Sequence, residues 1–360
     1  MLRKFPRPVK KIVVKVGSSL IATYQMEPRK AELRSLVNQI CALRKRGIQV
    51  VLVSSGAIVL GMGEMGLKKR PTELSALQSL AAIGQTLLMR VYMDIFKKCR
   101  VTCSQVLLTW DDFSHRDRFN NIRNIFKAML ECGVVPVVNE NDTISTDEIK
   151  FGDNDKLSAL VASLIEADLL VILSDVEGLY EIKDGEKKVF SEIKKITEDI
   201  EKLAGGTNKK DMSKGGMATK LDAVKIATKA KIPCVIAHGE ARDVLLRVHK
   251  GERLGTFFVE EEEKLVSRKH WISFGSKPKG VVVVDDGAKE VLQKGGKSLL
   301  LPGIVSWEGQ FKKNDVVVVE DKKHEEIARG MVNYSAEELA NIVDKKGKPE
   351  AIHCDNMVVL

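Results

Sequence analysis

Lys11-Ile12-Val13-Val14-Lys15-Val16-Gly17-Ser18-Ser19 decides the fold class. A run rich in β-branched side chains predicts a buried strand at 11–16, and a glycine with two hydroxyl residues follows at once. The pattern recurs along the chain. Residues 28–46 read as a helix with Leu33, Leu36, Val37, Ile40 and Leu43 on one face; Gly47 closes it and 48–53 form the next strand. Helices at 72–98, 119–131, 155–166 and 217–229 alternate with strands at 101–108, 134–138, 169–173 and 233–237. Nearly all-apolar strands alternating with helices predict an α/β fold, a mainly parallel sheet sandwiched by helices. The stretches 181–195 and 202–211 read as flexible, exposed connections.

The composition changes near Glu260, where four glutamates and Lys264 suggest a solvated linker. Beyond Pro278 short strands at 280–284, 299–302 and 316–320 are separated by turn signals, with one helix at 288–293. The expected organisation is therefore a large domain over 1–260, a linker over 261–276 and a small, mostly β domain over 277–360. A chain of 360 residues agrees with two domains at roughly 100–200 residues each. Six cysteines are too few for a disulfide scaffold in a chain of this length and form no zinc-ligand pattern, which suits a reducing, cytoplasmic setting. Lys15 breaks the apolar run after the basic N-terminus, which argues against a signal peptide, and no run reaches the ~18–20 apolar residues of a membrane span. The net charge of +9 suits anionic partners without choosing among them.

Five segments carry candidate chemistry. After the first strand, Gly17 lets backbone N–H groups approach a phosphate, and Lys15 brings a charge to the same crevice. Ser54-Ser55-Gly56-Ala57 follows the second strand and offers hydroxyls and amides to a carboxylate or phosphate; an ordinary helix cap explains the same serines. Asn139-Glu140-Asn141-Asp142 and Phe151-Gly152-Asp153-Asn154-Asp155-Lys156 are dense polar clusters suited to the ammonium of a small polar substrate, and equally to Asx turns. Lys214-Gly215-Gly216-Met217-Ala218-Thr219-Lys220 enters a helix with lysines on both sides, which suits a nucleotide phosphate chain.

Two tempting motifs fail. Gly61-Met62-Gly63-Glu64-Met65-Gly66 matches G-x-G-x-x-G but begins well past the end of its strand, and 74–93 lacks an acidic partner; it reads as a flexible loop near a substrate. Gly296-Lys297-Ser298 lacks the leading glycine of a P-loop, since Val291 stands in its place.

Together KVGSS at 15–19, SSGA at 54–57, NEND at 139–142, FGDNDKLSA at 151–159, SDVEGLY at 174–180 and GGMATK at 215–220 resemble the amino acid kinase family, in the family's order. Within it they are similar to the branch that phosphorylates the side-chain carboxylate of L-glutamate to L-glutamyl 5-phosphate, the entry step of proline biosynthesis. The C-terminal segment looks like a PUA domain, a module found in RNA-modifying enzymes. The resemblance implies ATP and Mg2+ as cofactors. It implies that Lys15 and Lys220 flank the transferred phosphoryl group and that Asp155 orients both. Gly17, Ser174, Asp175, Lys214, Gly215, Gly216, Met217, Ala218 and Thr219 would then line the ATP site, and Ser55, Asp142 and Asn154 would bind glutamate. No residue is expected to form a dedicated metal site. Ser174 stands where the family often has threonine, which keeps the hydroxyl. The resemblance further implies a homo-oligomer, proline as a feedback inhibitor, RNA as a partner of the PUA domain, and no membrane.

Two rivals remain at the level of sequence. One is a related kinase acting on a different small acid. The other is an RNA-binding protein working through Lys294, Lys297, Lys312, Lys313, Lys322 and Lys323, although only Trp307 and Phe311 offer stacking there.

Overall fold

The computed structural model describes residues 2–114, 116–144, 154–183, 186–205, 216–261, 278–341 and 350–359. The chain divides into two compact units, Met1–Thr109 with Phe119–Lys264, and Trp110–Arg118 with Leu265–Leu360.

In the first part of the chain the elements are β1 (Lys11–Val16), α1 (Ser18–Ile21), α2 (Lys30–Lys45), β2 (Gln49–Ser54), α3 (Ala57–Glu64), α4 (Leu74–Lys98) and β3 (Cys103–Leu108). There follow α5 (Trp110–Ser114), α6 (Arg116–Glu131), β4 (Val135–Glu140), α7 (Asn154–Leu164), β5 (Leu169–Ser174) and the strands β6 (Tyr180–Lys183), β7 (Glu186–Val189) and β8 (Glu192–Ile193). The series ends with α8 (Glu198–Gly205), α9 (Met217–Lys229), β9 (Cys234–His238), α10 (Val244–His249) and β10 (Thr256–Phe258). Among the described residues eight strands form one sheet in the order β3-β4-β2-β1-β5-β9-β10-β8. All its pairs are parallel except β9 with β10. The α/β expectation holds.

Register aligns the carboxyl ends of the central strands. Val16 pairs with Ser54 on one side and Leu173 on the other, and Ser174 pairs with His238. The strand order reverses at β1, so a crevice opens there, where ligands of such sheets bind. The two faces of β1 differ. Ile12, Val14 and Val16 join a core with Leu33, Val37 and Ile40 of α2 and Tyr92 and Phe96 of α4. Period-two alternation turns Val13 and Lys15 to the other face, where α7 packs. α7 is buried along almost its whole length, including Asn154 and Asp155 at its start.

The structure corrects three sequence readings in this unit. Gly61 and Gly63 belong to α3 rather than to a flexible loop. A Cβ at Gly61 would strike the Leu80 carbonyl oxygen, and one at Gly84 the Ala57 carbonyl oxygen. These glycines are needed for the close crossing of α3 and α4, and only Gly66 (φ +64°) makes a turn. Within the supposed connection 181–195, β6 and β7 pair as an antiparallel hairpin. In the second connection α8 extends to Gly205, and 206–211 lie outside the described residues.

The second unit contains β11 (Gly280–Val284), α11 (Asp286–Gln293), β12 (Ile304–Gly309), β13 (Val316–Glu320), β14 (Glu326–Met331), α12 (Ala336–Asn341) and β15 (Met357–Val359). Its sheet runs β12-β11-β13-β14-β15, with only β11 and β13 parallel, around a core that includes Val282, Leu299, Val317 and Ile352. The strand expected at 299–302 is instead a single bridge from Leu299 to Ile352 and a 3-10 turn at Leu301–Gly303; Pro302 in that turn has no N–H to give a ladder. β12 follows it. α12 is a second helix where one was expected. Among the described residues no helix is long and apolar enough to cross a membrane.

Candidate active site

The crevice is organised around Asp155, 1% exposed in the first turn of α7. Its Oδ1 lies 2.6 Å from Lys15 Nζ and its Oδ2 3.5 Å from Lys220 Nζ. Both lysines are 5% exposed. Lys15 arrives from the α7-facing side of β1. Lys220 arrives from the first turn of α9, a helix that packs on α7. Thr219 Oγ1 stands 3.0 Å from Asp155 Oδ2 and 2.9 Å from the Gly216 carbonyl, so its single proton is shared between two acceptors. Burial alone would push the Asp155 carboxyl up; the two ammonium groups and the hydrogen bonds hold it below the usual carboxylate range. Burial lowers Lys220, Asp155 opposes that, and Lys15 adds to it. One carboxylate facing two buried ammonium groups leaves an excess positive charge, which suits the cluster to an anion.

Gly17 sits beside this cluster as the residue before α1; its N–H donates to the Leu173 carbonyl (3.2 Å). At the end of β5 the buried Ser174 Oγ donates to Asp175 Oδ1 (2.9 Å). The charge of Asp175 reaches Lys220. Gly216 precedes α9, with Met217, Ala218 and Thr219 in its first turn. Lys214 and Gly215 lie outside the described residues, as do Gly152 and Asp153.

A second cluster is built of amides and hydroxyls. Asn154 Nδ2 lies 3.0 Å from the Ser54 carbonyl, 3.1 Å from Ser55 Oγ and 2.9 Å from Asn139 Oδ1. Asn139 Nδ2 donates to Gln85 Oε1 at 2.7 Å. Asn154 Oδ1 is buried without a hydrogen-bond partner, an acceptor left for a ligand donor. Ser55 precedes Gly56, whose φ of +95° places it in the left-handed region and lets the chain turn sharply into α3. The structure therefore brings Ser55 and Asn154 into contact and ties Lys15, Asp155, Lys220 and Thr219 into one cluster. The adjacent positions 154 and 155 link the two. Asp142, two residues beyond β4, is pushed up to about 7 by burial and by Glu140, with Arg70 opposing.

Sequence reasoning missed Gln85 and Arg70. Gln85 is a buried polar residue on an otherwise apolar helix face, a signal available in the sequence. Arg70 follows Lys68 and Lys69 and reads as part of a solvated basic run.

A carboxylate that already holds two lysines is no metal ligand. Among the described residues the one group of three close metal-ligating side chains is His353, Cys354 and Asp355, in the second unit. Among the described residues the crevice thus offers no cage for Mg2+, and the ion fits these residues as a companion of nucleotide phosphates.

Residues 10–238 match the amino acid kinase family and residues 280–353 the PUA domain. Glutamate 5-kinase from Syntrophotalea carbinolica is 45% identical over 98% of this chain and 97% of its own length. Glutamate 5-kinase from Carboxydothermus hydrogenoformans is 42% identical over the whole of both chains. Carbamate kinase from Giardia lamblia, solved with AMP-PNP, shares the fold at a TM-score of 0.50 and 16% identity, covering 70% of this chain and 99% of that one. The chain belongs to the amino acid kinase family, alongside relatives named glutamate 5-kinase that it matches over nearly their whole length.

Proposed function

We propose that this kinase transfers the γ-phosphoryl group of ATP to the side-chain carboxylate of L-glutamate, giving L-glutamyl 5-phosphate and ADP, the first step of proline biosynthesis. The observation that carries this reading is the buried Lys15–Asp155–Lys220 cluster next to the Ser55–Asn154–Asn139 network. The first is an anion receptor; the second is suited to a small polar acceptor.

The acceptor carboxylate is ionised at neutral pH, so it needs no general base. Its oxygen attacks the γ-phosphorus, the bond to the β–γ bridging oxygen breaks, and ADP leaves with that electron pair. No proton is gained or lost. The chain's task is to hold two anions in line and to offset their charge. Lys15 and Lys220 flank the transferred group, and Asp155 keeps both aimed. The Gly17 backbone and the start of α9, from Gly216 to Thr219, meet the phosphates. Lys214 and Gly215 belong to the same ATP-binding segment, with Ser174 and Asp175 at its edge. Ser55 and Asn154 hold the acceptor, and Asp142 takes its α-ammonium. Mg2+, held by the triphosphate and not by a cage of side chains, would screen the phosphate charge there.

Residues 1–260 carry this chemistry in our reading, 261–276 link, and 277–360 form the PUA domain. Six free cysteines suit a cytoplasmic enzyme. A homo-oligomer inhibited by proline follows from the family alone. RNA as a partner of the second unit draws on the exposed Lys294, Lys297, Lys312 and Lys313. Phe311, expected as a stacking residue, is instead buried in that unit's core, so only half-buried Trp307 remains of the two.

The test is ADP release with ATP, Mg2+ and L-glutamate, N-acetylglutamate, aspartate or UMP in turn, with hydroxylamine to trap an acyl phosphate. A glutamate-dependent hydroxamate is expected. ADP release with another acceptor alone would move the substrate; silence from folded protein would overturn the reading.

A further inference from the structure

One cation whose charge reaches Asp142 has no role in the scheme above. Arg70 lies on the connection between α3 and α4. Lys68 and Lys69 beside it are exposed, while Arg70 is half-buried. Its Nε is buried and has no hydrogen-bond partner. A guanidinium N–H removed from water and left unpaired is a vacancy for an oxygen. Burial lowers Arg70, and the charge of Asp142 opposes that. Asp142 in turn feels Arg70 and Glu140, which is buried at the end of β4. The two helices that this connection joins meet closely at Gly61 and Gly84.

A free amino acid presents an ammonium and a carboxylate on one carbon. A site that withdraws this pair from water needs an anion and a cation side by side. Asp142 is the anion. The other nearby lysines are committed: Lys15 and Lys220 to Asp155, and Lys156 to Asp222. We propose that Arg70 receives the α-carboxylate of the substrate, forming with Asp142 a matched pair for the zwitterionic head of an α-amino acid. The planar fork of arginine suits a carboxylate better than a lysine point charge does. The assignment rests on glutamate being the acceptor. It makes the site selective for a free α-carboxylate, remote from the carboxylate that is phosphorylated.

The experiment compares kcat/KM for L-glutamate, L-isoglutamine (the α-amide, with its side-chain carboxylate free) and glutarate (no ammonium), read as ADP release. Wild type, Arg70→Ala and Arg70→Lys are measured. Wild type should prefer glutamate to isoglutamine by about 10²-fold, the upper scale for leaving one buried polar group unsatisfied. In Arg70→Ala that preference should fall below about 5-fold, with kcat for saturating glutamate changed far less than KM. Arg70→Lys should lie between. Discrimination against glutarate should persist in both variants. If it collapses while isoglutamine discrimination stays, Arg70 acts only through Asp142 and the assignment is overturned. Unchanged isoglutamine discrimination overturns it as well. Should Arg70→Ala not fold, Arg70→Lys alone must shift the ratio. A wild type without glutamate-dependent ADP release would remove the proposed function, and this assignment with it; an active wild type with unchanged ratios in the variants would remove only the assignment.

Discussion

Asp155 Oδ1 stands 2.6 Å from Lys15 Nζ, and both groups are almost wholly withdrawn from solvent. The contact joins the last turn of a strand's alternation to the first turn of a buried helix. Lys15 shares the face of Val13, and Asp155 begins the helix that covers that face. A charge so placed is already aimed before any ligand arrives, and preorganisation of this kind is where catalytic electrostatics act most strongly. Replacing Lys15 or Lys220 by alanine should lower kcat by about 10²–10³-fold, the scale for losing one donor aimed at developing charge. Folding should suffer less, because Asp155 keeps the other lysine. Steady-state ADP release and thermal melting of the same samples check this; near-normal kcat in both variants would sink the mechanism.

Asp155 is the more exacting position for stability. Asp155→Asn leaves two buried ammonium groups facing each other, and an uncompensated buried charge costs about 3–5 kcal/mol. The pH dependence has a definite sign. The carboxyl is held below its usual range, so its contribution is present above the ordinary carboxylate value and is lost as pH falls through the lowered one. Urea denaturation across acid and neutral pH should show this loss in wild type and not in the variant. ATP should raise the variant's melting temperature more than that of wild type, since its phosphates replace the missing anion. Equal shifts would argue against phosphates at these lysines.

Asp142 should set the pH dependence of substrate affinity. Its carboxyl is pushed up to about 7 by burial first and Glu140 second. An ammonium ligand needs the ionised form, so KM for glutamate should rise as pH drops below about 7, approaching tenfold per unit because one proton competes. The sign for folding is opposite to that of Asp155: the protonated form is the favoured one, and ionisation costs stability as pH rises from the ordinary carboxylate value through about 7. Asp142→Asn should have a high KM with a flat profile. A flat wild-type profile between pH 5.5 and 8 would remove Asp142 from the ammonium site.

The second unit allows a separate measurement. RNA binding through phosphates weakens with salt, with a slope of about −0.7 per contact for single strands and −0.9 for duplex. Lys312 and Lys313 are exposed, whereas Lys322 is 2.8 Å from Asp286 and Lys289 is 2.6 Å from Asp321. Lys312→Ala and Lys313→Ala should each reduce the slope by about one contact, while Lys322→Ala should change it less because its charge is already paired. The absence of tRNA binding at about 50 mM salt, where such contacts are strong, would dismiss RNA as a partner of this unit.

What was legible in the sequence was what lies at the ends of elements. Lys15, Gly17, Ser55, Asn154, Asp155 and Lys220 each stand where a strand stops or a helix starts, so hydropathy located them and parallel pairing brought them to one edge. Residues that act from inside an element, or from a connection, gave a weaker signal or none. Gln85 has the position of a core residue and works through Asn139. Arg70 is distinguished from Lys69 only by burial, which a single sequence does not display. The β6–β7 hairpin was missed because Glu181, Lys183, Glu186 and Lys187 mask any apolar alternation.

Gly61 and Gly84 show the same limit in a testable form. Separately each is a helix glycine, worth about 1 kcal/mol against alanine in a helix interior. Together they let the α3 and α4 backbones meet, with no room for a Cβ at either position. Gly84→Ala should therefore destabilise despite its better helix propensity, by about 1–3 kcal/mol or more as for other overpacked sites. The displacement should reach the acceptor site, since α3 starts two residues after Ser55 and Gln85 directly follows Gly84. KM for glutamate should rise while KM for ATP, whose proposed site lies at β1, β5 and α9, should change little. An alanine variant as stable as wild type would mean that α3 and α4 lie farther apart in solution.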